Sequence, residues 1–321
     1  MNAIELSVII PVYNEENNIQ IIYERLISVV KMLDISYEFI FVNDGSIDGS
    51  LAKIKQLSDE NVNIKFIDFS RNFGHQIAVT AGLDICKGNY IVIIDADLQD
   101  PPELITELYR KINEGYNVVY ARRKIRRGES FLKKFTAKMF YKLMDSITSI
   151  PIPPDTGDFR IIDKKIINVL RNMPEQQKYL RGQIAWAGFK QTFIEYDRDE
   201  RYAGKTGYTY SKMFRFALDA ITSFSNFPLK FATTIGFIVF GISFLGIIYS
   251  LFVKLFLDST VPGWTSIMLS VLFLGGIQLL SIGIIGEYIG RISANIRNRP
   301  LYIINETNIE EIKSEHQKYK T

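Results

Sequence analysis

The chain has 321 residues, enough for one large domain with an appendage. Its formal net charge of +3 is too small for a nucleic-acid binder, and its single cysteine, Cys86, excludes an intramolecular disulfide. No basic-then-apolar stretch opens the chain, so a secretory signal is not expected.

The first third alternates two periodicities. Leu6–Val12 reads as a strand, and Glu15–Leu33 as a helix with Ile19, Ile22, Leu26, Val29 and Leu33 on one face. A strand at Glu38–Val42 ends in Asn43-Asp44-Gly45-Ser46, followed by a helix around Ser50–Leu57, a strand at Ile64–Phe69 and a helix around Gln76–Ile85. Tyr90–Ile94 is the next strand, Pro102–Asn113 a helix and Asn117–Ala121 another strand. Such alternation predicts an α/β fold, a doubly wound, mainly parallel, Rossmann-like sheet. Ligands of these sheets bind outside the carboxyl ends of the strands, which is where Pro11–Glu15, Asp44, Asp95 and Asp97 fall.

Tyr90–Pro102, YIVIIDADLQDPP, runs an apolar strand directly into three carboxylates. A strand of that kind suits the middle of a covered sheet, so charge is tolerated only where it surfaces. Asp95 and Asp97 lie two apart and point to one side of an extended backbone. Two hard oxygen donors, with the amide oxygen of Gln99 beside them, can hold Mg²⁺ or Mn²⁺ and leave positions open for phosphate oxygens. A solvated acidic turn is the alternative at this point. Asp44 offers an acceptor to a base or ribose, or else caps the next helix with Gly45-Ser46.

Asp155-Thr156-Gly157-Asp158-Phe159-Arg160, after the Pro-rich 151–154, frames an active-site edge or forms a simple turn. The basic runs Arg122, Arg123, Arg126, Arg127 and Arg201, Lys205 are solvated surface or phosphate ligands. His75 has no His or Cys partner at ligand spacing, which argues against zinc. A dinucleotide fingerprint is missing after the first strand, and Gly204-Lys205-Thr206 lacks the earlier glycine of a P-loop.

Two later runs carry no formal charge, Phe231–Val253 and Ser259–Gly286. Both reach the roughly 20 residues that a bilayer-spanning helix needs. Lys212, Arg215 and Lys230 precede the first and Arg291, Arg297 and Arg299 follow the second, while the loop has only Lys254 and Asp258. The positive-inside rule then puts both termini in the cytoplasm, with Trp264 as an interfacial anchor. Residues 131–147 and 208–227 have the aromatic and basic content of helices lying in a membrane interface, or of amphipathic helices packed on the sheet. After about Glu306 the tail is polar and expected to be loosely ordered.

SVIIPVYNE (7–15), FVNDGSIDGS (41–50), RNFGHQIA (71–78), DADLQDPP (95–102), TGDFR (156–160) and RYAGKTGYTYSK (201–212) together resemble the inverting family 2 glycosyltransferases of the GT-A fold. The similarity is strongest to the dolichol-phosphate-mannose synthase group and, in the two-span tail, to bacterial enzymes of O-antigen glucosylation. Asn43-Asp44 stands where many relatives carry two aspartates, and QKYLRGQIAW lacks the Q-x-x-R-W of processive synthases.

The resemblance implies that Pro11, Tyr13, Glu15, Val42 and Asp44 cradle the nucleoside, with Asp95, Ala96, Gln99, Arg201 and Lys205 also on the nucleotide sugar. It implies a divalent ion on Asp95, Asp97 and Gln99, catalytic roles for Asp97, Asp158 and Arg123, and a lipid phosphate on Arg122, Arg123 and Arg201. The partners implied are a nucleotide sugar, foremost UDP-glucose, a polyprenyl phosphate and the membrane, with a homo-oligomer left open. GDP-mannose, UDP-formamido-arabinose and UDP-N-acetylhexosamine are alternative donors, and a non-catalytic scaffold or lipid carrier is the alternative outside enzymes. The chain then divides into a GT-A catalytic domain (1–228), a transmembrane hairpin (229–290) and a cytoplasmic tail (291–321) of an integral membrane protein.

Overall fold

A computed structural model describes residues 3–123, 156–197, 227–256, 263–297 and 299–310. Residues 3–123, 156–197 and 299–310 form one compact unit, and residues 227–256 and 263–297 a second. Residues 131–147 and 208–226, expected as interfacial helices, lie outside the described residues, as do Arg201 and Lys205.

In the first unit β1 (Leu6–Val12), β2 (Tyr37–Asn43), β3 (Ile64–Phe69) and β4 (Tyr90–Ile93) run parallel, linked by α1 (Ile19–Leu33), α2 (Ser50–Glu60) and α3 (His75–Ile85). A single 3₁₀ turn at Pro102–Leu104 leads into α4 (Ile105–Ile112), and β5 (Val118–Arg123) follows. Then come β6 (Thr156–Asp163), α5 (Lys164–Arg171), α6 (Leu180–Trp186) and β7 (Gln191–Tyr196). With β8 (Ile304–Thr307) these strands make one sheet in the order β7-β5-β6-β4-β1-β2-β3-β8.

Alternation along the strands builds two apolar layers. Val8, Ile10, Phe39, Phe41, Val92, Val119 and Ile161 face α1, α2 and α4, whereas Ile9, Ile40, Ile67, Ile93, Tyr120 and Ile162 face α3, α5 and α6. Each fully buried Ile, Leu or Val is worth about 1.5–3 kcal/mol. Dozens of them hold the rim against which the polar loops are set.

Three expectations are corrected. Glu15 does not begin a helix: α1 starts at Ile19, after a loop in which Asn14 takes a left-handed φ of 57°. Thr156–Arg160 is not a simple turn but the start of β6, which runs antiparallel between β4 and β5. Part of the tail is ordered: β8 pairs antiparallel with β3, and Ile309 is buried beyond it.

The second unit holds α7 (Phe227–Phe256) and α8 (Trp264–Ile296). Both are long and apolar enough to cross a membrane, and none of their candidate spans is buried within the structure. Phe237, Leu245, Phe252, Phe273, Leu279 and Ile285 are all exposed. A core helix of a soluble domain would bury such side chains, and a surface of this kind marks contact with lipid or another protein.

One close approach carries a test. A Cβ at Gly82 of α3 would stand 2.4 Å from Ile9 Cγ2 of β1, inside the second layer. Gly82→Ala gains about 1 kcal/mol in helix propensity but overpacks a rigid core at a cost of about 1–3 kcal/mol. Thermal unfolding of the purified protein should therefore show Gly82→Ala less stable than wild type. The double variant with Ile9→Ala should lose less than the sum of the two single changes.

Candidate functional site

The rim at the carboxyl ends of β1, β2 and β4 receives three further contributors from topology. Because β6 runs antiparallel with Arg160 opposite Ile93, its opening residues Gly157 and Asp158 come up beside the loop that follows β4. The end of β5 brings Arg123 to the same rim, and α3 starts there with His75.

Asp158 is the hub of that rim. One carboxylate oxygen accepts from Arg160 Nη2 at 3.0 Å and from Arg181 Nε at 3.1 Å, and the other lies 3.2 Å from His75 Nε2. Gln76 Nε2 adds a longer contact at 3.5 Å. Arg160 is fully buried, and its Nη2 also donates to the carbonyl of Gly157 at 2.8 Å. Burial alone would raise the Asp158 pKa, but the Arg181 guanidinium, the His75 hydrogen bond and Arg160 hold it well below the usual carboxylate range. Asp158 is thus a poor proton acceptor.

Asp95 approaches the same imidazole nitrogen, its Oδ1 3.6 Å from His75 Nε2. Burial pushes its carboxyl up to about 6; His75 opposes this, and the carboxylates of Asp158, Asp100 and Asp97 add to it. His75 answers in the opposite sense. Burial lowers its pKa, but Asp95 and Asp158 together raise it to about 9. The histidine set aside by its sequence spacing is therefore the cation between the two acidic groups. Its signal was present in RNFGHQIA, but only the fold shows that the start of α3 faces Asp95 and Asp158.

The loop carrying the acidic pair is held in an unusual backbone state. Leu98 has a left-handed φ of 61° while its side chain is buried in the first apolar layer. That conformation costs a residue with a Cβ about 1–2 kcal/mol, so the burial of Leu98 and the bond from Gln99 N to Asp97 Oδ1 at 3.2 Å must hold it. At the loop's end Tyr196 donates its hydroxyl to the buried Asp100, and Arg123 lies 3.8 Å from the same carboxylate and 3.4 Å from Tyr196 Oη. Burial, then the Asp100 charge, pushes the Tyr196 phenol well above its ordinary value.

Whether the rim suits a divalent ion can be read from its donors. Asp95 Oδ1 is buried without a hydrogen bond, and the surrounding carboxylates would gain from an added cation. Among the described residues, no group of three or more His, Cys, Asp and Glu side chains is arranged around one metal position. The chain offers the acidic pair, and water or phosphate oxygens would supply the rest. This fits Mg²⁺ or Mn²⁺ carried with a diphosphate.

The other candidates separate. Tyr13 is 49% exposed on the rim, beside a loop locked to the β2–α2 connection by Asn14 N to Ser46 Oγ (2.9 Å), Ile47 N to Asn14 Oδ1 (2.9 Å) and Glu15 N to Ser50 Oγ (3.0 Å). Asp44 neither caps the next helix nor stays free. Its carboxylate accepts from Phe73 N at 2.7 Å and from Gly74 N at 3.0 Å, fastening the loop before α3. Pro11, Val42 and Ala96 are buried, so their side chains are wall and core. Arg122 is not brought to the acidic rim: strand alternation sends it opposite to Arg123, over the Phe193 ring at 3.5 Å and paired with Glu195.

Residues 7–171 match the glycosyl transferase family 2, and residues 227–292 match the GtrB C-terminal hairpin. An uncharacterized glycosyltransferase of Bacillus subtilis (strain 168) is 51% identical over 304 residues, covering 95% of this chain and 94% of that one. Another from Synechocystis sp. is 49% identical over 307 residues, covering 95% and 96%. The SfII prophage-derived bactoprenol glucosyl transferase of Shigella flexneri is 38% identical over 303 residues, covering 94% and 98%. The chain belongs to glycosyl transferase family 2.

Proposed function

We propose that the protein transfers glucose from UDP-glucose to a polyprenyl phosphate at the cytoplasmic face of a membrane, inverting the anomeric centre to give a β-linked polyprenyl-phosphate sugar. The observation that carries this reading is the charged rim: Asp95, His75, Asp158 and Arg123 gather at the carboxyl edge of the sheet, in a chain with two exposed apolar helices. The bactoprenol glucosyl transferase of Shigella flexneri supports it, because the alignment runs through both the sheet domain and the hairpin.

Chain path supports the topology. β8 follows both long helices in sequence yet pairs with β3, which precedes both. The polypeptide must therefore return to the side it left, which two crossings satisfy and one or three do not. The basic flanks support the cytoplasm as that side.

In this mechanism a phosphate oxygen of the lipid attacks the anomeric carbon while the bond to the nucleoside diphosphate breaks. When bound, Mg²⁺ or Mn²⁺ on Asp95 and Asp97 would supply electrostatic stabilisation of the departing diphosphate. His75 and Asp158 fix the sugar side of the rim, and Arg123, adjoining Gly157, offers its guanidinium to the incoming phosphate. The attacking group arrives ionised, so orientation and charge complementarity carry the rate rather than proton removal.

Membranes bearing the protein, given polyprenyl phosphate and a panel of radiolabelled nucleotide sugars, should label lipid from UDP-glucose and stop doing so on chelation. Labelling from GDP-mannose or UDP-N-acetylhexosamine instead would replace the donor; no labelling from any donor would refute the reading. Asp97→Ala should reduce kcat/KM by about a hundredfold or more, as for loss of a principal electrostatic group, with unchanged membrane extraction and thermal unfolding. Arg123→Ala should raise the KM for polyprenyl phosphate by about tenfold, the value of a charge-assisted phosphate contact, and leave donor KM within about twofold. Equal rises in both constants would take Arg123 off the acceptor side.

A further inference from the structure

The segment after α8 does more than add an edge strand. Tyr302 stacks on Phe69 with ring centroids 5.1 Å apart and 22° between planes, and its hydroxyl donates to Asp84 Oδ2 at 3.0 Å. Ser70 N donates to the carbonyl of Ile303 at 3.0 Å. At the irregularity in the β3–β8 ladder, Asn305 Nδ2 donates to Asp68 Oδ2 at 2.8 Å. Thr307 and Asn308 complete the attachment through Phe66 and Ile64.

Asp68, Phe69 and Asp84 each connect onward to the rim. Asp68 is buried, and its other oxygen accepts from Asn43 Nδ2 at 2.7 Å. The residue after Asn43 is Asp44, which holds the amides of Phe73 and Gly74. Phe69 meets Phe73 edge to face at 5.5 Å. Asp84 belongs to α3, whose first residues His75 and Gln76 reach Asp158. Residues 302–305 thus hold the strand before the Ser70–Gly74 loop, Ser70 itself and, through Asp84, the far end of the helix that follows it. Within that loop Ser70 and Arg71 are exposed and Gly74 has a φ of 102°, so it has little burial of its own to define its path.

We propose that Tyr302 and Asn305 are positioning residues: the strand following the membrane hairpin sets the β3–α3 loop and, through it, the donor side of the transfer site. This rests on the proposed transferase reading. In chemical terms, Asn305 neutralises the desolvation of one oxygen of a buried carboxylate, and Tyr302 supplies a stacking surface with one hydrogen bond. Loss of either leaves the catalytic groups intact and lets the loop that presents His75 drift.

The test uses the full-length protein with Tyr302→Ala, Tyr302→Phe and Asn305→Asp, the last setting a carboxylate against Asp68. Hydrogen exchange is followed by mass spectrometry in peptides covering residues 70–76, and KM is measured separately for UDP-glucose and polyprenyl phosphate. Tyr302→Ala and Asn305→Asp should each speed exchange in those peptides and raise donor KM about fivefold to tenfold, the range for loss of an aromatic stack or of one typical net hydrogen bond. Lipid KM should stay within about twofold, and Tyr302→Phe, which keeps the ring, should recover most of the donor affinity.

Unchanged exchange overturns the proposal, as does faster exchange with donor KM unmoved or both constants rising together. If Tyr302→Ala fails to accumulate, Asn305→Asp decides by the same criteria. A wild-type chain inert with every donor would overturn the functional reading, and the exchange result alone would then decide the role of the strap.

Discussion

Asp158 gathers its partners from three elements that are distant in sequence: Arg160 on its own strand, Arg181 on α6, and His75 with Gln76 at the head of α3. Taking one such partner from a buried charge generally costs about 3–5 kcal/mol, so these elements cannot shift independently. Asp95 lies against this cluster without a full set of partners. Its carboxyl, raised from 3.8 to about 6, carries a penalty of roughly 3 kcal/mol against the ionised form. Arg160 and Arg181 balance Asp158 and Arg123 adjoins Asp100, whereas Asp95 remains crowded by carboxylates, and an added cation would stabilise its ionised form.

The reversed direction of β6 makes this concentration possible. A fifth parallel strand beside β4 would have delivered its own carboxyl end to the rim after crossing the sheet. An antiparallel one instead delivers its beginning, so Asp158 arrives opposite the loop of Asp95 and Asp97 while Arg160 sits one step deeper. The same reversal places Gly157 against Arg123, where a Cβ would stand 3.2 Å from Nη2. Glycine there lets the guanidinium lie close to the β6 backbone while it adjoins the Asp100–Tyr196 pair.

Two strands were legible residue by residue: Leu6–Val12 and Ile64–Phe69, mainly apolar, have the bounds that the sequence predicts. Asp95 and Asp97 were legible for the same reason, since charge after such a strand marks where it surfaces. β6 was not, because Asp158 and Arg160 put two charges into a strand that lies third from the β7 edge, and a two-residue period cannot reveal charges that neutralise each other in the fold. His75 escaped for want of local partners, as both lie far away in sequence. β8 escaped because its residues are polar and the edge it covers is satisfied mostly through backbone and amide groups, which hydrophobic patterning does not register.

The state of Asp158 also bears on what the acceptor must be. A sugar hydroxyl attacking an anomeric carbon needs a base to receive its proton as the bond forms. The carboxylate that TGDFR presents to the site is held by two guanidinium groups and an imidazole, and its affinity for a proton is correspondingly low. Such a group is a poor base. An acceptor that arrives already ionised removes the need for a base. It also prefers a guanidinium at its point of entry, the role proposed for Arg123 at the end of β5. A phosphate satisfies both requirements, and on a long isoprenoid it would be retained by the membrane that two exposed apolar helices would enter.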